Sequence, residues 1–282
     1  MTNAQEWQGR DGNTWAEEWR LNDMSFADLA GPLDAAIAAV APASGRALDM
    51  GCGAGVTSIA LAAARPGLAI TGVDLSEQLV TVARERAKGL ANLDYRAANV
   101  VDFALATHGE DRFDLAFSRH GVMFFGDPAA AFRAIGGAIR PGGALVFSCF
   151  ADVARNPWAK DIAVAAGAVA PAAAADGGYV PGPFAFSDPQ FARGLLEQGG
   201  FSAADPQLVD YVYRAGEGED AVEQALYFFQ RIGPAARLLA AIEPAARGPV
   251  RERLRAFLAE RECDGAVTFP ASAWIWTARA GG

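Results

Sequence analysis

The stretch "LDMGCGAGVTSIAL", residues 48–61, decides the fold. It places Gly51, Gly53 and Gly55 within five positions, between two apolar runs. Glycine adopts backbone conformations with positive φ and lets a ligand approach the chain closely. A helix that begins directly after such a loop offers free N–H donors to the same ligand. The stretch therefore predicts a strand, a ligand-binding turn and a helix, with a nucleotide-like ligand at the turn.

Strands and helices alternate on both sides of this glycine loop. Segments with helical spacing separate short apolar runs at 46–50, 69–74, 93–98, 113–118 and 143–150. Such alternation predicts parallel βαβ units with ligands bound beyond the carboxyl ends of the strands. We therefore predict an α/β fold, a Rossmann-like doubly wound and mostly parallel seven-stranded sheet, with an N-terminal helical segment and a helical cap insertion.

Changes in composition and periodicity divide the chain into five predicted segments. They are an N-terminal helical lid segment over 1–45 with one helix over 14–40, the Rossmann-like core over 46–150, a partial cap and sixth strand over 151–218, a helical cap insertion over 219–266, and the final sheet strand over 267–282. Within the insertion, the pairs Gly233-Pro234 and Gly248-Pro249 are expected to interrupt the helices.

The composition excludes several classes of partner. A net charge of −9 repels DNA and RNA, so no nucleic-acid partner is expected. The Ala/Val-rich run at 162–175 is too short to span a membrane. The first fifteen residues lack the basic and apolar regions of a secretory signal, and three widely spaced cysteines predict neither disulfides nor a metal site. We expect a cytoplasmic protein, and a homodimer stays open.

The sequence of the glycine loop differs from the dinucleotide-binding fingerprint. The pattern G-x-G-x-x-G would need a further glycine at Val56 or Ser58. Instead, Asp49 stands two residues before Gly51. A carboxylate there is a poor neighbour for a pyrophosphate and a good one for an ammonium group. A ligand with an amino-acid end and a nucleoside end satisfies both observations, and an NAD-dependent oxidoreductase is disfavoured.

Over residues 45–150 these motifs resemble those of the class I S-adenosylmethionine-dependent methyltransferases. The resemblance is to the small-molecule type, similar to the enzymes of ubiquinone and menaquinone biosynthesis. It implies that Asp49 and the three glycines hold the methionyl part of S-adenosylmethionine. It also implies that Asp74, at the end of "TGVDLS", binds both ribose hydroxyls as a bidentate acceptor. Leu75 would then pack on the adenine.

The resemblance assigns further cofactor residues. Asn99 stands where many relatives have an aspartate, and its amide oxygen would accept a hydrogen bond from the adenine amino group, beside Val100. The segment "SRHGVMFF" would place Ser118 and Arg119 near the sulfonium. In a methyltransferase of this type the first helix covers the cofactor, which would bring Trp15 close to the methyl group. Trp15 could equally be a core residue.

His120 is the candidate catalytic residue, since an imidazole at the sheet edge could act as a general base near neutral pH. Lining the pocket without accepting a proton is the alternative. The acceptor pocket is expected to contain Trp19, Trp158, Tyr179 and Phe228, whose rings suit a planar or lipophilic molecule. Trp19 and Phe228 could instead belong to the core. A further candidate follows in the sequence: Arg231, as an anchor for an anionic acceptor group.

The sequence therefore predicts an enzyme that transfers a methyl group from S-adenosylmethionine to an O, N, S or C nucleophile of a small organic acceptor. S-adenosylhomocysteine would be the product. Two alternatives stay open. A protein of this fold could bind S-adenosylmethionine and catalyse a non-methylating reaction, or it could be a non-catalytic subunit that binds the same cofactor.

Overall fold

A computed structural model describes residues 4–167 and 179–281. Its centre is an eight-stranded mixed sheet with the order β3-β2-β1-β4-β5-β8-β6, and β7 pairs with β8. The strands are β1 Ser44–Met50, β2 Gly67–Asp74, β3 Leu93–Ala97, β4 Phe113–Arg119, β5 Ile139–Phe150, β6 Phe201–Glu217, β7 Glu262–Cys263 and β8 Ala266–Ala280. The first five strands are parallel, and β8 is antiparallel to both β5 and β6.

Helices flank this sheet and cover the edge where the parallel strands end. They are α1 Ala4–Gln8, α2 Arg10–Glu17, α3 Trp19–Ser25, α4 Ala27–Val40, α5 Val56–Ala64, α6 Glu77–Arg86, α7 Val100–Leu105, α8 Pro128–Ala138, α9 Pro157–Ala166, α10 Pro189–Gln198, α11 Ala221–Arg231, α12 Pro234–Ala241 and α13 Arg247–Ala259. No helix in the described part of the chain is long and apolar enough to cross a membrane.

The predicted α/β class is confirmed, with one strand more than the seven expected. The additional strand is β7, a two-residue segment that pairs with the start of β8 around a tight turn. Asp264 and Gly265 form this turn with φ values of 52° and 74°. A two-residue strand carries no measurable alternation, so the sequence gives no signal for it.

The single N-terminal helix predicted over 14–40 is wrong, because the segment forms three helices. Glu18 (φ −97°, ψ 18°) separates α2 from α3, and Phe26 (φ −108°, ψ 11°) separates α3 from α4. Both break residues are buried. Glu18 forms an ion pair with Arg231 of α11, and the ring of Phe26 packs on His120. Tertiary contacts at these two residues therefore override the local helical periodicity.

The helical insertion follows the sequence prediction at one of its two glycine–proline pairs. Gly233, with φ 92°, separates α11 from α12, which begins at Pro234. The interruption expected at Gly248-Pro249 is wrong, because both residues lie in the first turn of α13. Proline is tolerated there, since the backbone N–H that it lacks would have no partner inside the helix.

Candidate active site

One cavity of about 830 Å³ lies at the carboxyl ends of the parallel strands. α2 and α3 line one side of it, and α9, α11 and α12 line another. Most of the residues proposed from the sequence line this cavity: Trp15, Trp19, Asp49, Gly51, Gly53, Asp74, Leu75, Asn99, Val100, Arg119, His120, Trp158, Phe228 and Arg231. The fold therefore brings together residues that are up to about 200 positions apart in the sequence.

The glycine loop has the backbone that its composition implies. Gly51, Gly53 and Gly55 all have positive φ, at 65°, 54° and 82°. A Cβ atom on Gly53 would meet no atom within 4 Å, because the space beside it is the cavity. A Cβ on Gly55 would collide with the hydroxyl of Tyr95, so Gly55 serves internal packing and lies outside the lining. Close approach to a ligand is thus available at Gly53.

Two further residues proposed from the sequence also lie outside the lining. Ser118 is fully buried, and its hydroxyl donates to the Met50 carbonyl at 2.6 Å and accepts from the Gly121 N–H at 3.2 Å. Ser118 therefore positions the glycine loop by joining the ends of β1 and β4. Tyr179 donates its hydroxyl to the Phe125 carbonyl at 2.7 Å and supports the cavity wall from behind.

Asp74 is oriented by backbone donors at the end of β2. Its Oδ2 accepts from the Gly53 N–H and its Oδ1 from the Ser76 N–H, both at 2.9 Å. Each carboxylate oxygen keeps a further lone pair, so the group can still accept from two neighbouring hydroxyls. Burial raises the pKa of Asp74, against the effect of these backbone hydrogen bonds. The arrangement suits a vicinal diol such as a ribose.

Asp49 carries a buried carboxyl group, one oxygen of which has no hydrogen-bond partner among the described residues. Its side chain is 1% exposed, and its Oδ2 has no hydrogen-bond partner among the described residues. Burial raises its pKa to about 7, and the nearby Asp74 acts in the same direction. A buried carboxylate without a partner is costly, and a cationic group in the cavity would compensate for it. The ammonium of an amino-acid moiety fits this position.

Asn99 has a structural function in addition to the one proposed for it. Its side-chain oxygen accepts from the Val101 N–H at 2.9 Å and caps the start of α7. One lone pair of this oxygen remains for a ligand. Asp102, on the first turn of α7, also lines the cavity and was not proposed from the sequence. The adenine end of a nucleoside ligand would therefore meet two oxygen acceptors here.

Arg119 is bound by a residue of the N-terminal helices that the sequence did not indicate. Asp23 of α3 accepts from Arg119 at 2.8 Å and from Arg86 of α6 at 2.7 Å. Arg86 also donates to the Ala54 carbonyl of the glycine loop at 2.7 Å, and its guanidinium lies 3.9 Å from the ring centre of Trp19. α3 is thus joined across the loop to β4 and α6. Arg119 shares the single carboxylate of Asp23 with Arg86.

Arg231 does not stand free for an anionic ligand. It forms ion pairs with Glu17 and with the buried Glu18, the latter at 2.6 Å between Nε and Oε1. The Tyr227 hydroxyl donates to the same Glu18 oxygen at 2.7 Å. Two carboxylates therefore neutralise the guanidinium, and the expected anchor for an anionic acceptor group is replaced by a link between α2 and α11.

His120 follows β4 at the centre of the cavity, with φ 60°. Its Nδ1 lies 2.8 Å from the Ser148 hydroxyl, and its Nε2 has no hydrogen-bond partner within the described ranges. The ring packs against Phe26 and Phe150, with centroids 4.8 and 4.4 Å away. Burial, with the charge of Arg119, lowers the pKa of His120 to about 3. The imidazole is therefore neutral at physiological pH.

Beyond His120 the cavity wall is aromatic. Trp158 of α9 stacks on Tyr213 of β6, with 4.8 Å between centroids and 7° between planes. Phe150 contacts both Trp158 and Phe184 at 5.3 and 5.7 Å. Phe228 lines the same part of the cavity, and so does its neighbour Phe229. Both rings are also almost fully buried, so they belong to the core and to the wall at once.

Comparison with known proteins agrees with this geometry. A family model described as "Methyltransferase domain" matches residues 48–147. A ubiquinone biosynthesis O-methyltransferase of Xanthomonas campestris is 37% identical over 133 residues, which are 47% of this chain and 53% of that protein. The corresponding protein of Aromatoleum aromaticum is 38% identical over 104 residues, 36% of this chain and 43% of that protein. The chain thus spans about half the length of the curated relatives that it matches.

Solved structures show the same fold. The YcgJ protein of Bacillus superposes with a TM-score of 0.56 at 15% identity, over 89% of this chain and 98% of that one. Phosphoethanolamine N-methyltransferase 2 of Haemonchus contortus, in complex with S-adenosyl-L-methionine, superposes with a TM-score of 0.57 at 17% identity, over 100% of this chain and 61% of that one. Residues 48–147 of this chain are therefore similar to a methyltransferase domain, and they lie in a fold that the chain shares with these solved structures.

Proposed function

We propose that this protein is an enzyme that transfers the methyl group of S-adenosylmethionine to a small, flat and largely apolar organic acceptor. One observation carries the proposal: a single cavity joins the glycine-loop half, which is suited to the cofactor, to an aromatic half that is suited to an acceptor. The two halves meet at His120. A volume of about 830 Å³ lies in the range of sites that enclose small-molecule ligands.

The residues of the cofactor half match the parts of S-adenosylmethionine. The unpartnered carboxyl of Asp49 would pair with the ammonium, and the open backbone at Gly53 would lie along the methionyl chain. Asp74 would accept from the two ribose hydroxyls, while Leu75 and Asn99 would border the adenine. When bound, the cofactor supplies a methyl group made electrophilic by its sulfonium.

The aromatic half would align the acceptor with that methyl group. Trp158 and Tyr213 form one stacked wall, and Phe150 and Phe184 form another. Holding the two reactants in line supplies much of the rate enhancement that a displacement needs. Arg119 and Arg231 both form ion pairs with carboxylates of the protein, and we therefore propose an acceptor that is held mainly by its ring.

The N-terminal helices and the helical insertion would enclose both reactants. α2 and α3 would act as a lid over the cofactor, and α11 and α12 would act as a cap over the acceptor, since residues of these four helices line the cavity. The acidic net charge favours a small molecule over a nucleic acid as the acceptor. We also propose a cytoplasmic location and a homodimer. Measurements of localisation and of oligomeric state would test them.

A non-methylating reaction is the alternative with a specific observation in its favour. The [4+2]-cyclase SpnF superposes with a TM-score of 0.51 at 21% identity, over 89% of this chain and 81% of that one. The fold alone therefore does not select methyl transfer. The similarity to O-methyltransferases over the glycine-loop half favours methyl transfer as the leading proposal.

Parallel calorimetric titrations with S-adenosylmethionine, S-adenosylhomocysteine and NAD test the cofactor half. We expect both sulfur ligands to bind with micromolar dissociation constants, about −8 kcal/mol, and NAD to give no heat. Asp74→Ala should weaken S-adenosylmethionine binding at least about 30-fold, because both carboxylate oxygens are lost. Asp94→Ala is the matched control, since Asp94 is exposed on β3 and pairs with Arg96. Equal affinities for the two variants would refute the ribose assignment.

Turnover tests the reaction itself. The protein is incubated with S-adenosylmethionine and a panel of neutral aromatic acceptors that carry hydroxyl, amino, thiol or carbonyl groups. Formation of S-adenosylhomocysteine together with an acceptor that is heavier by one methylene unit would support methyl transfer. Tight cofactor binding with a changed acceptor and no S-adenosylhomocysteine would support the non-methylating alternative instead.

A further inference from the structure

His120 is held in one orientation by a single residue of β5. The His120 N–H donates to the Ser148 carbonyl at 3.1 Å, and the ring Nδ1 lies 2.8 Å from the Ser148 hydroxyl. Phe26 and Phe150 enclose the imidazole, and Ser148 is fully buried. With Nδ1 engaged, Nε2 is the ring atom that remains for a ligand of the cavity.

The surroundings of Ser148 decide which ring nitrogen carries the proton. In the described part of the chain, the Ser148 hydroxyl has no hydrogen-bond partner other than His120 Nδ1. A neutral imidazole has one donor nitrogen and one acceptor nitrogen. If Nδ1 carried the proton, the buried hydroxyl hydrogen would have no acceptor, which is costly. If the hydroxyl donates to Nδ1, the hydroxyl and Nδ1 are both satisfied, and the ring proton lies on Nε2, which is buried and has no partner among the described residues.

The backbone of His120 lies next to the glycine loop. Gly121, the next residue, packs directly on the glycine loop, because a Cβ on Gly51 would lie 3.2 Å from the Gly121 Cα. His120 therefore stands one residue away from a backbone contact with the loop that holds the methionyl part of the cofactor. His120 lines the cavity, and its buried, unpartnered Nε2 is the ring nitrogen left for a cavity ligand.

We propose that His120 binds the acceptor as a hydrogen-bond donor through Nε2–H, and that the acceptor presents an oxygen lone pair to it, as a carbonyl or an ionised hydroxyl. A general base would instead need a bare Nε2. Burial and the charge of Arg119 keep the imidazole neutral, which agrees with a donor that does not change its charge. The acceptor class rests on the proposed function, whereas the position of the ring proton does not.

The ring proton can be observed directly by nitrogen-15 NMR of the histidine side chains in the protein without ligand. The sequence has only two histidines, and His108 is exposed on a loop, so a His108→Gln variant assigns the spectrum. We expect His120 to show a protonated Nε2 and a bare Nδ1 between about pH 5 and pH 8, without titration. A protonated Nδ1, or a charge change in this range, would overturn the proposal.

A pair of matched probes tests the acceptor class. Acetylnaphthalene and ethylnaphthalene have the same flat ring system, and only the first carries a carbonyl. On protein saturated with S-adenosylhomocysteine, we expect the ketone to bind about tenfold more tightly, since it satisfies a buried donor. The preference should vanish in His120→Phe, which keeps a flat ring without the donor.

The outcomes separate this proposal from the proposed function. Equal affinities for the two probes, or no affinity for the ketone, would overturn the acceptor class. Saturation with S-adenosylhomocysteine is measured first by calorimetry, and its absence would refute the proposed function. The NMR result stands independently of both, because it is read on the protein alone.

Discussion

Replacing Asp49 by asparagine should stabilise the protein without cofactor at alkaline pH. Burial raises the pKa of Asp49 from its ordinary value of 3.8 to about 7. Between these two values the folded protein binds one proton more than the unfolded chain. The stability that the protonated Asp49 contributes is therefore complete below about pH 4 and is lost as the pH rises through about 7. The asparagine side chain keeps the shape of the protonated carboxyl and cannot ionise.

The size of the effect follows from the shift. Each unit of pKa corresponds to about 1.4 kcal/mol, so moving from 3.8 to about 7 costs the ionised state about 4 kcal/mol. Between pH 5 and pH 8, the free energy of unfolding of the native protein should fall by about 2 to 3 kcal/mol relative to that of Asp49→Asn. Most of the fall should occur below pH 7. Above pH 7, the difference in unfolding free energy between the two proteins should become constant.

Urea unfolding followed by tryptophan fluorescence measures this difference at several pH values without cofactor. The comparison must be made between the two proteins, because His120 has a lowered pKa and gives the native protein an opposite slope below about pH 6.5. The pH dependence caused by His120 is the same in both proteins, so it cancels in the difference between their unfolding free energies. A difference in unfolding free energy that stays constant from pH 5 to pH 8 would refute the assignment of a raised pKa to Asp49.

Four other substitutions test the lid and the glycine loop. Gly53→Ala should lower stability by only about 1 kcal/mol, because of its positive φ, but weaken S-adenosylmethionine binding at least tenfold. Gly55→Ala should lower stability more, because its Cβ would collide with Tyr95. Thermal unfolding measures the stabilities, and calorimetry measures the binding. Gly12→Ala should undock α2, since its Cβ would collide with the N-cap of α6, and raise the cofactor dissociation constant. Arg231→Met should leave the buried Glu18 without its ion-pair partner and speed limited proteolysis of the N-terminal helices. Unchanged cleavage would contradict this expectation.

The parts of the fold that are encoded locally could be predicted from the sequence. The strand, glycine loop and helix over 48–61 depend on neighbouring residues, and so does the acid that ends β2. The alternation of apolar and polar residues placed the first five strands within a few residues of their observed bounds. Asp49, Asp74 and His120 were identified because their chemistry is unusual at their position, and the cavity does contain them.

Contacts between distant segments could not be predicted in this way. Asp23 joins Arg86 and Arg119 over separations of 63 and 96 residues, and nothing in "RLNDMS" distinguishes it from a solvated aspartate. The same holds for Glu18, whose ion pair with Arg231 breaks a helix that the local spacing favours. Arg231 was proposed as a ligand anchor because the sequence does not show which carboxylates reach it.

The double ion pair of Asp23 has a consequence for the kinetics of the enzyme. Asp23 of α3 holds both Arg86, which contacts the glycine loop, and Arg119, so exchange of the proposed cofactor would require both ion pairs to separate. The acceptor side has its own helices and does not share this barrier. Under the proposed function, turnover would then be ordered, with the cofactor as the first molecule to bind and its demethylated form as the last to leave. Added salt, which weakens the two ion pairs, should accelerate that release and shorten the residence time of S-adenosylhomocysteine.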